Sequence, residues 1–429
     1  KYKGTPFKVS TLNRYIVFIG RQYLEDIKKS TDDELSLVEA VNDTIKIDYL
    51  IGPAINADPY HIPLARIRLS HKLGLYYPDM KDEVHIAFEE LLRFKDNAWK
   101  SVVAVATIRQ IVCRARNRVI VGLPLCRDPD WIELNARHAV DVAFDANILN
   151  MFPKFLVPLV SKILPKSAAG IKRAMKHLDP LIKERFRCMK EHGDEWNDKL
   201  SDFLQWLIDE KEECTTRQLT LRALTLSFAS IHTCTQALYN LAANPQYVEP
   251  LREEVDAVIR EHVWTKEAMV LMQKVDSFLA ESLPLEGVLT TGVRRKALKN
   301  LTLSDGTFIP KGTHLYVPTY VFHRDSAIYE NPGIFDPLRF FRLGEDGNES
   351  GRHQMVAMNR NYFPFGYGKH ACPGRILAAD EPKTMFAHIL TSYGVKFKDR
   401  VSRPASIYWD SNVIADPTAR PLFRKRAHN

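Results

Sequence analysis

The segment Phe363 to Arg375, FPFGYGKHACPGR, places one cysteine in a glycine-rich turn just ahead of a run with helical character. A cysteine ligates iron as its thiolate, and such an anion needs amide donors, nearby positive charge or a helix N-terminus to stabilise it. All three are on offer here. Gly366, Gly368 and Gly374 let the backbone fold sharply close to a flat macrocycle, Lys369 and His370 bring cationic character, and a helix is expected from Gly374 onward. The segment reads as a haem-thiolate loop with Cys372 as the ligand. The competing reading, a buried and inert structural cysteine beside an ordinary turn, is the one a lone Cys-Pro-Gly would favour.

Such a loop must be carried by a folded body, and most of the sequence reads as helix, with short strands near each end. Residues 82 to 92 and 100 to 120 carry apolar positions at helical spacing, and Lys172 to Lys211 reads as helices interrupted around His192, Gly193 and Asp194. Gln218 to Asn244 is a long apolar stretch with few breakers, which predicts one long, largely buried central helix. Tyr247 to His262 is amphipathic. Strands are expected at Leu301 to Leu303, Phe308 to Ile309 and His314 to Val317, separated by turns at Asp305-Gly306 and Pro310-Lys311-Gly312. Gly344 to Arg352 reads as a surface loop.

Composition narrows the class of protein. The 429 residues are 45% hydrophobic and 26% charged, as in an ordinary globular protein, with no disordered tail or repeat array. No flexible linker divides them, so a single mixed domain over 1–429 is expected. A formal charge of +8 fits attraction to acidic surfaces, an electron-donating flavoprotein or an anionic membrane among them, and equally a basic surface without special purpose. The six cysteines, Cys113, Cys126, Cys188, Cys214, Cys234 and Cys372, are scattered without CxxC pairs, which argues against a zinc site or a disulfide scaffold. No apolar run reaches the roughly 18 to 20 residues of a membrane-spanning helix.

The spacing Phe365, Gly368, Cys372, Gly374 follows FxxGxxxCxG, and in it the chain resembles the cytochrome P450 superfamily. The segments VRRKAL at 293–298, SDGTFIPKGT at 304–313, HRD at 323–325, FDPLRF at 335–340 and HACPGR at 370–375, with SFASIHT and ANPQYVEPLREE, extend the likeness over nearly the whole chain. They are most similar to fungal members, and among these to the ent-kaurene oxidases. The resemblance implies a mainly α fold with small β-sheets (α+β) and a long central helix over the haem. It implies haem b (iron-protoporphyrin IX) as cofactor and Cys372 as the metal ligand. The implied reaction is a monooxygenation of an apolar small molecule, a terpenoid or another fungal secondary metabolite, with O2. Electrons would come from NADPH-cytochrome P450 reductase, with cytochrome b5 as a further donor, and no nucleic acid is involved. The opening KYKGTPFKVS is similar to the family's first β-strand region, so an N-terminal anchor is expected ahead of it, holding the full-length protein at the cytoplasmic face of the endoplasmic reticulum membrane.

The resemblance also assigns roles residue by residue. In Ala229, Ser230, Ile231, His232, Thr233, the threonine hydroxyl would hydrogen-bond dioxygen or a water, and His232 would stand where the family usually has an acid and pass protons. A packing pair with a local backbone hydrogen bond is the alternative for His232 and Thr233. Haem propionates would be met by Arg295 and His370; Arg66 and His71 are candidates of equal weight with plain surface roles. Phe365, Gly368 and Gly374 shape the ligand loop. The family's ExxR motif is expected on the helix Met269 to Leu283, but Pro284 stands where its arginine would, so Glu281 is expected to pair directly with Arg339 of the FDPLRF segment.

Losing a member of a buried ionic network can cost about 3 to 5 kcal/mol. Pro284 is expected to end its helix early, and Pro382, eight residues past Gly374, is expected to kink the following helix at a cost on the order of 3 kcal/mol. These departures motivate the alternative function, a catalytically degenerate P450-fold protein that binds haem or a hydrophobic ligand.

Overall fold

The computed structural model describes residues 4–11, 14–197, 199–211, 213–226, 231–346, 353–398 and 402–427. They fall into two compact units, the first within Lys1–Leu37, Leu73–Val112 and Ala229–Asn429, the second within Val38–Lys72 and Cys113–Phe228. The first unit carries the cysteine loop. Its strands are β1 (Phe7–Ser10), β2 (Tyr15–Phe18), β3 (Leu35–Ser36), β4 (Lys100–Ser101), β5 (Gly292–Ala297), β6 (Leu301–Thr302), β7 (Phe308–Ile309), β8 (His314–Val317), β9 (Tyr393–Lys396), β10 (Ile407–Trp409), β11 (Asn412–Ile414) and β12 (Leu422–Lys425). They pair as a five-stranded sheet in the order β1-β2-β8-β5-β3, a three-stranded sheet β4-β12-β9, and the two-stranded pairs β6-β7 and β10-β11.

Its principal helices are α1 (Leu24–Lys29), α2 (Leu73–Leu92), α3 (Ile231–Ala243), α4 (Val248–His262), α5 (Lys266–Leu271), α6 (Gln273–Leu285), α7 (Thr319–Phe322), α8 (Arg339–Asp346) and α9 (Arg375–Ser392). Among the described residues no helix is long and apolar enough to cross a membrane.

The five-stranded sheet explains why its strands have these sequences. β8, at the centre, is buried at every position, as its HLYV run requires. β5 alternates, turning Val293, Arg295 and Ala297 inward. Arg295 pairs opposite Leu315 of β8. An arginine thus lies in a row of apolar side chains.

The long central helix expected over Gln218 to Asn244 is described in two segments, Thr216–Thr225 and α3, and its middle, 227–230, lies outside the described residues. The first of them ends where the Thr225 hydroxyl donates back to the Arg222 carbonyl at 2.7 Å and the Leu226 amide bonds to Ala223, a tightened last turn. The helix over Met269 to Leu283 is two, α5 and α6, broken at Met272, whose ψ of 71° leaves the helical region. In addition, α6 does not stop before Pro284 but runs through it to Leu285, and α9 continues through Pro382 to Ser392.

The second unit is helical. Pro129–Leu149 starts with a proline behind Asp128, whose carboxylate accepts from the Trp131 amide at 2.9 Å. Pro165–His192 ends at Gly193, whose φ of +52° marks the interruption that the sequence predicts there. Leu50, Ile55, Val142, Leu149, Ile171 and Leu221 form a shared apolar cluster.

Candidate functional site: the cysteine loop and its supports

Cys372 is held by the backbone on both sides. Its amide donates to the Phe365 carbonyl at 2.8 Å, which closes the turn, and its own carbonyl accepts from the Arg375 amide at 3.4 Å as α9 begins. Its side chain is half-buried and forms no disulfide. Between the two ends the chain reverses through Gly366 (φ +87°) and Gly368 (φ +69°), values that residues with a Cβ rarely adopt. A Cβ at Gly368 would meet Cγ of Lys28 at 3.4 Å, an ordinary contact, so it is the backbone angle that calls for glycine there. The positive end of the α9 dipole therefore lies next to the sulfur-bearing residue, where it favours the thiolate.

The loop is anchored through its aromatic residues. Phe363 and Tyr367 join Tyr23, Leu24 and Ile27, Val293 and Ala297 of β5 and Leu315 and Val317 of β8 in one apolar cluster. Burying a phenylalanine of this kind contributes roughly 1.5 to 3 kcal/mol. The Tyr367 hydroxyl reaches past the cluster to donate to Glu25 of α1 at 2.6 Å. Phe365 contributes its carbonyl to Cys372, and Gly374 is the residue from which α9 starts.

Arg295 and His370 are brought close enough to interact electrostatically. Arg295 is 3% exposed, and its guanidinium donates to the Arg294 carbonyl at 2.7 Å. Burial holds it down to about 10, with Asp32 pulling the other way. His370 Nε2 lies 2.5 Å from Asp32, and Lys369 pairs with the same carboxylate at 3.0 Å. Burial lowers His370, opposed by Asp32 and reinforced by Arg295. A cation in the inward row of β5 beside a histidine at the cysteine turn fits the carboxylates of a haem.

On α6, Glu281 is 2% exposed and accepts from Nε of Arg339 at 3.1 and 3.2 Å and from the Asp336 amide at 3.2 Å. Arg339 spends its remaining donors on the carbonyls of Glu330, Asn331 and Ile334. With one cation facing it, the carboxyl is pushed by burial up to about 7, Arg339 holding it back in part.

His232 and Thr233 open α3. Thr233 is buried, and His232 Nε2 lies 2.9 Å from the Glu286 carbonyl. Because a carbonyl only accepts, Nε2 carries the proton and Nδ1 the lone pair. Burial lowers the basicity of this imidazole, with Glu286 opposing. Ala229 and Ser230 lie outside the described residues. Arg66 is half-buried in Leu64–Leu69, and His71 is exposed just beyond it; both belong to the second unit.

Sequence reasoning missed the groups that support these. Arg403 donates to Asn240 at 2.6 Å and to Gln236, and pairs with Glu286 at 3.4 Å; Ser406 donates to Glu286 at 2.5 Å. Gln236 and Asn240, four apart and both 1% exposed in an apolar helix, were the legible signal. His323 and Arg324, seen only as part of HRD, and Tyr362 also make specific contacts with α6 and the loop.

The family model for cytochrome P450 matches residues 64–420. The chain belongs to the cytochrome P450 family, and its relatives are monooxygenases. Cytochrome P450 monooxygenase 71 of Postia placenta is 41% identical, over 99% of this chain and 86% of its own length. Monooxygenase 151 of the same organism is 38% identical, over 99% and 87%. Ent-kaurene oxidase P450-4 of Gibberella fujikuroi is 32% identical, over 100% and 86%. These likenesses give no support to the degenerate binding protein, and the chain is read as a P450 monooxygenase.

Proposed function

We propose that the protein holds haem b through Cys372 and hydroxylates an apolar small molecule of the terpenoid or related secondary-metabolite class. NADPH-cytochrome P450 reductase, with cytochrome b5 as a further donor, would supply electrons at the cytoplasmic face of the endoplasmic reticulum membrane. The substrate class draws its support from the ent-kaurene oxidase of Gibberella fujikuroi among the relatives. The observation that carries the reading is the geometry at Cys372: a glycine turn closed by its own amide, at the start of a helix.

Haem, when bound, supplies dioxygen activation, so that one oxygen atom enters a substrate C–H bond and the other leaves as water, at the expense of two electrons and two protons. The chain's residues do the rest. The start of α9 would stabilise the Cys372 thiolate, and Arg295 with His370 would hold the propionates. The Thr233 hydroxyl can donate and accept a hydrogen bond, and His232, fixed by the Glu286 carbonyl at Nε2, can take up and release a proton at Nδ1.

The test is the carbon-monoxide difference spectrum of the reduced holoprotein. A thiolate-type Soret band in the native protein, lost in Cys372→Ser, is the expected result. A native protein that takes up no haem, or shows no such band, overturns the reading.

A further inference from the structure

Pro284 leaves two debts in α6: its missing amide deprives the Ala280 carbonyl, four residues back, of a helical donor, and its own side chain replaces a guanidinium. The first is met by Tyr362, and Arg324 caps the helix end that bears the second, while Glu281, the guanidinium's partner, is left to Arg339. The Tyr362 hydroxyl, 2% exposed, lies 3.3 Å from the Ala280 carbonyl and 3.3 Å from that of Met355, sharing its single proton between them. Arg324, just past α7, donates to the carbonyls of Pro284, at 3.1 Å, and Leu285, which end α6, while its guanidinium stacks 3.7 Å above the ring of Tyr320.

The same residues reach the cysteine loop. Tyr362 immediately precedes Phe363, the first residue of the loop. His323, next to Arg324, accepts from the Phe363 amide at Nε2 (3.3 Å) and packs its ring 5.0 Å from that of Phe363 and 6.0 Å from that of Tyr362. Accepting requires a neutral ring, and burial keeps His323 neutral by pushing it down to about 3. A cavity of about 10 Å³, room for roughly one water, lies among Glu281, Pro284, His323 and Arg339.

We infer that Tyr362, His323 and Arg324 are positioning residues that, in the absence of the ExxR arginine, tie the proline-bearing end of α6 to the first residue of the cysteine loop. They touch neither Cys372 nor substrate; they set where the loop begins. The inference rests on Cys372 being the haem ligand, and it goes beyond that reading by naming what fixes the ligand's geometry in this chain.

The experiment uses holoprotein of native sequence and of the variants Tyr362→Phe, Arg324→Ala, Arg324→Lys, Pro284→Arg and Pro284→Arg with Arg324→Ala. Each is compared at equal haem content, and the fraction of carbon-monoxide complex with the thiolate-type band is read. Tyr362→Phe and Arg324→Ala are expected to lower that fraction at least two-fold, Arg324→Lys to recover part of it, and Pro284→Arg to restore it in the Arg324→Ala background. Tyr362→Phe keeps the ring, so a folded protein is available even if Arg324→Ala is not. Equal fractions in native, Tyr362→Phe and Arg324→Ala proteins overturn the inference alone. Absence of the band from the native protein overturns the ligand reading and this inference with it.

Discussion

Two helices that flank the cysteine loop each contain a proline, and the structure accommodates them in different ways. In α6 the proline lies in the last turn, and the carbonyls it exposes or terminates are met one by one by Tyr362 and Arg324. In α9 Pro382 lies buried in mid-helix, and the helix is gripped from its sides: Lys383 pairs with Asp276 of α6 at 2.7 Å, and Lys266 of α5 with Asp380 at 2.5 Å. A proline near a helix end can be made good by hydrogen bonds to the backbone. One in the middle keeps its place because tertiary contacts outweigh the local penalty.

The largest expected effect breaks the α6 side. Arg339→Ala should cost about 3 to 5 kcal/mol in denaturant unfolding, because it leaves Glu281 buried without its cation. A loss below about 1 kcal/mol would mean that the pair is already neutral in the native protein.

The next concerns pH. Glu281 is raised from its ordinary value of 4.5 to about 7, so between those values the native state keeps a proton that the unfolded chain has released. Its contribution favours folding below about 4.5 and is lost as pH rises through 7, by up to about 3 kcal/mol. From pH 4.5 to 8 the stability of native protein relative to Glu281→Gln should therefore fall steadily in unfolding curves as the native carboxyl loses its proton. A constant difference would remove Glu281 as the titrating group.

The smallest effect sharpens the comparison itself. Pro382→Ala should stabilise by about 1 to 2 kcal/mol, the helix penalty of roughly 3 less the lost apolar contacts. Pro284→Ala should change stability by less than about 0.5 kcal/mol, since Tyr362 already serves Ala280. Thermal midpoints of the two variants read the contrast directly, and equal shifts would show that position within the helix does not matter.

What the residues disclose in advance divides along physical lines. The loop was legible because each glycine, the cysteine and the following helix act over a few neighbouring residues, and the turns at Gly306 and Gly312 (φ +87° and +88°) were legible for the same reason. The Glu281–Arg339 contact followed from the family pattern. Tyr362 and Arg324 were not foreseeable: they act across 82 and 40 residues of chain, and nothing in a tyrosine before a phenylalanine says which carbonyl its hydroxyl will meet.

The Tyr362 hydroxyl also bears on the order in which mutations can accumulate. With proline at 284 and no hydroxyl at 362 the Ala280 carbonyl would lose this donor, so the effect of the proline depends on the residue at 362. The reverse step is conditioned too, because arginine at 284 restores an amide that competes with Tyr362 for Ala280. Epistasis of this kind couples the two positions, and a count of matched motif positions would not register it.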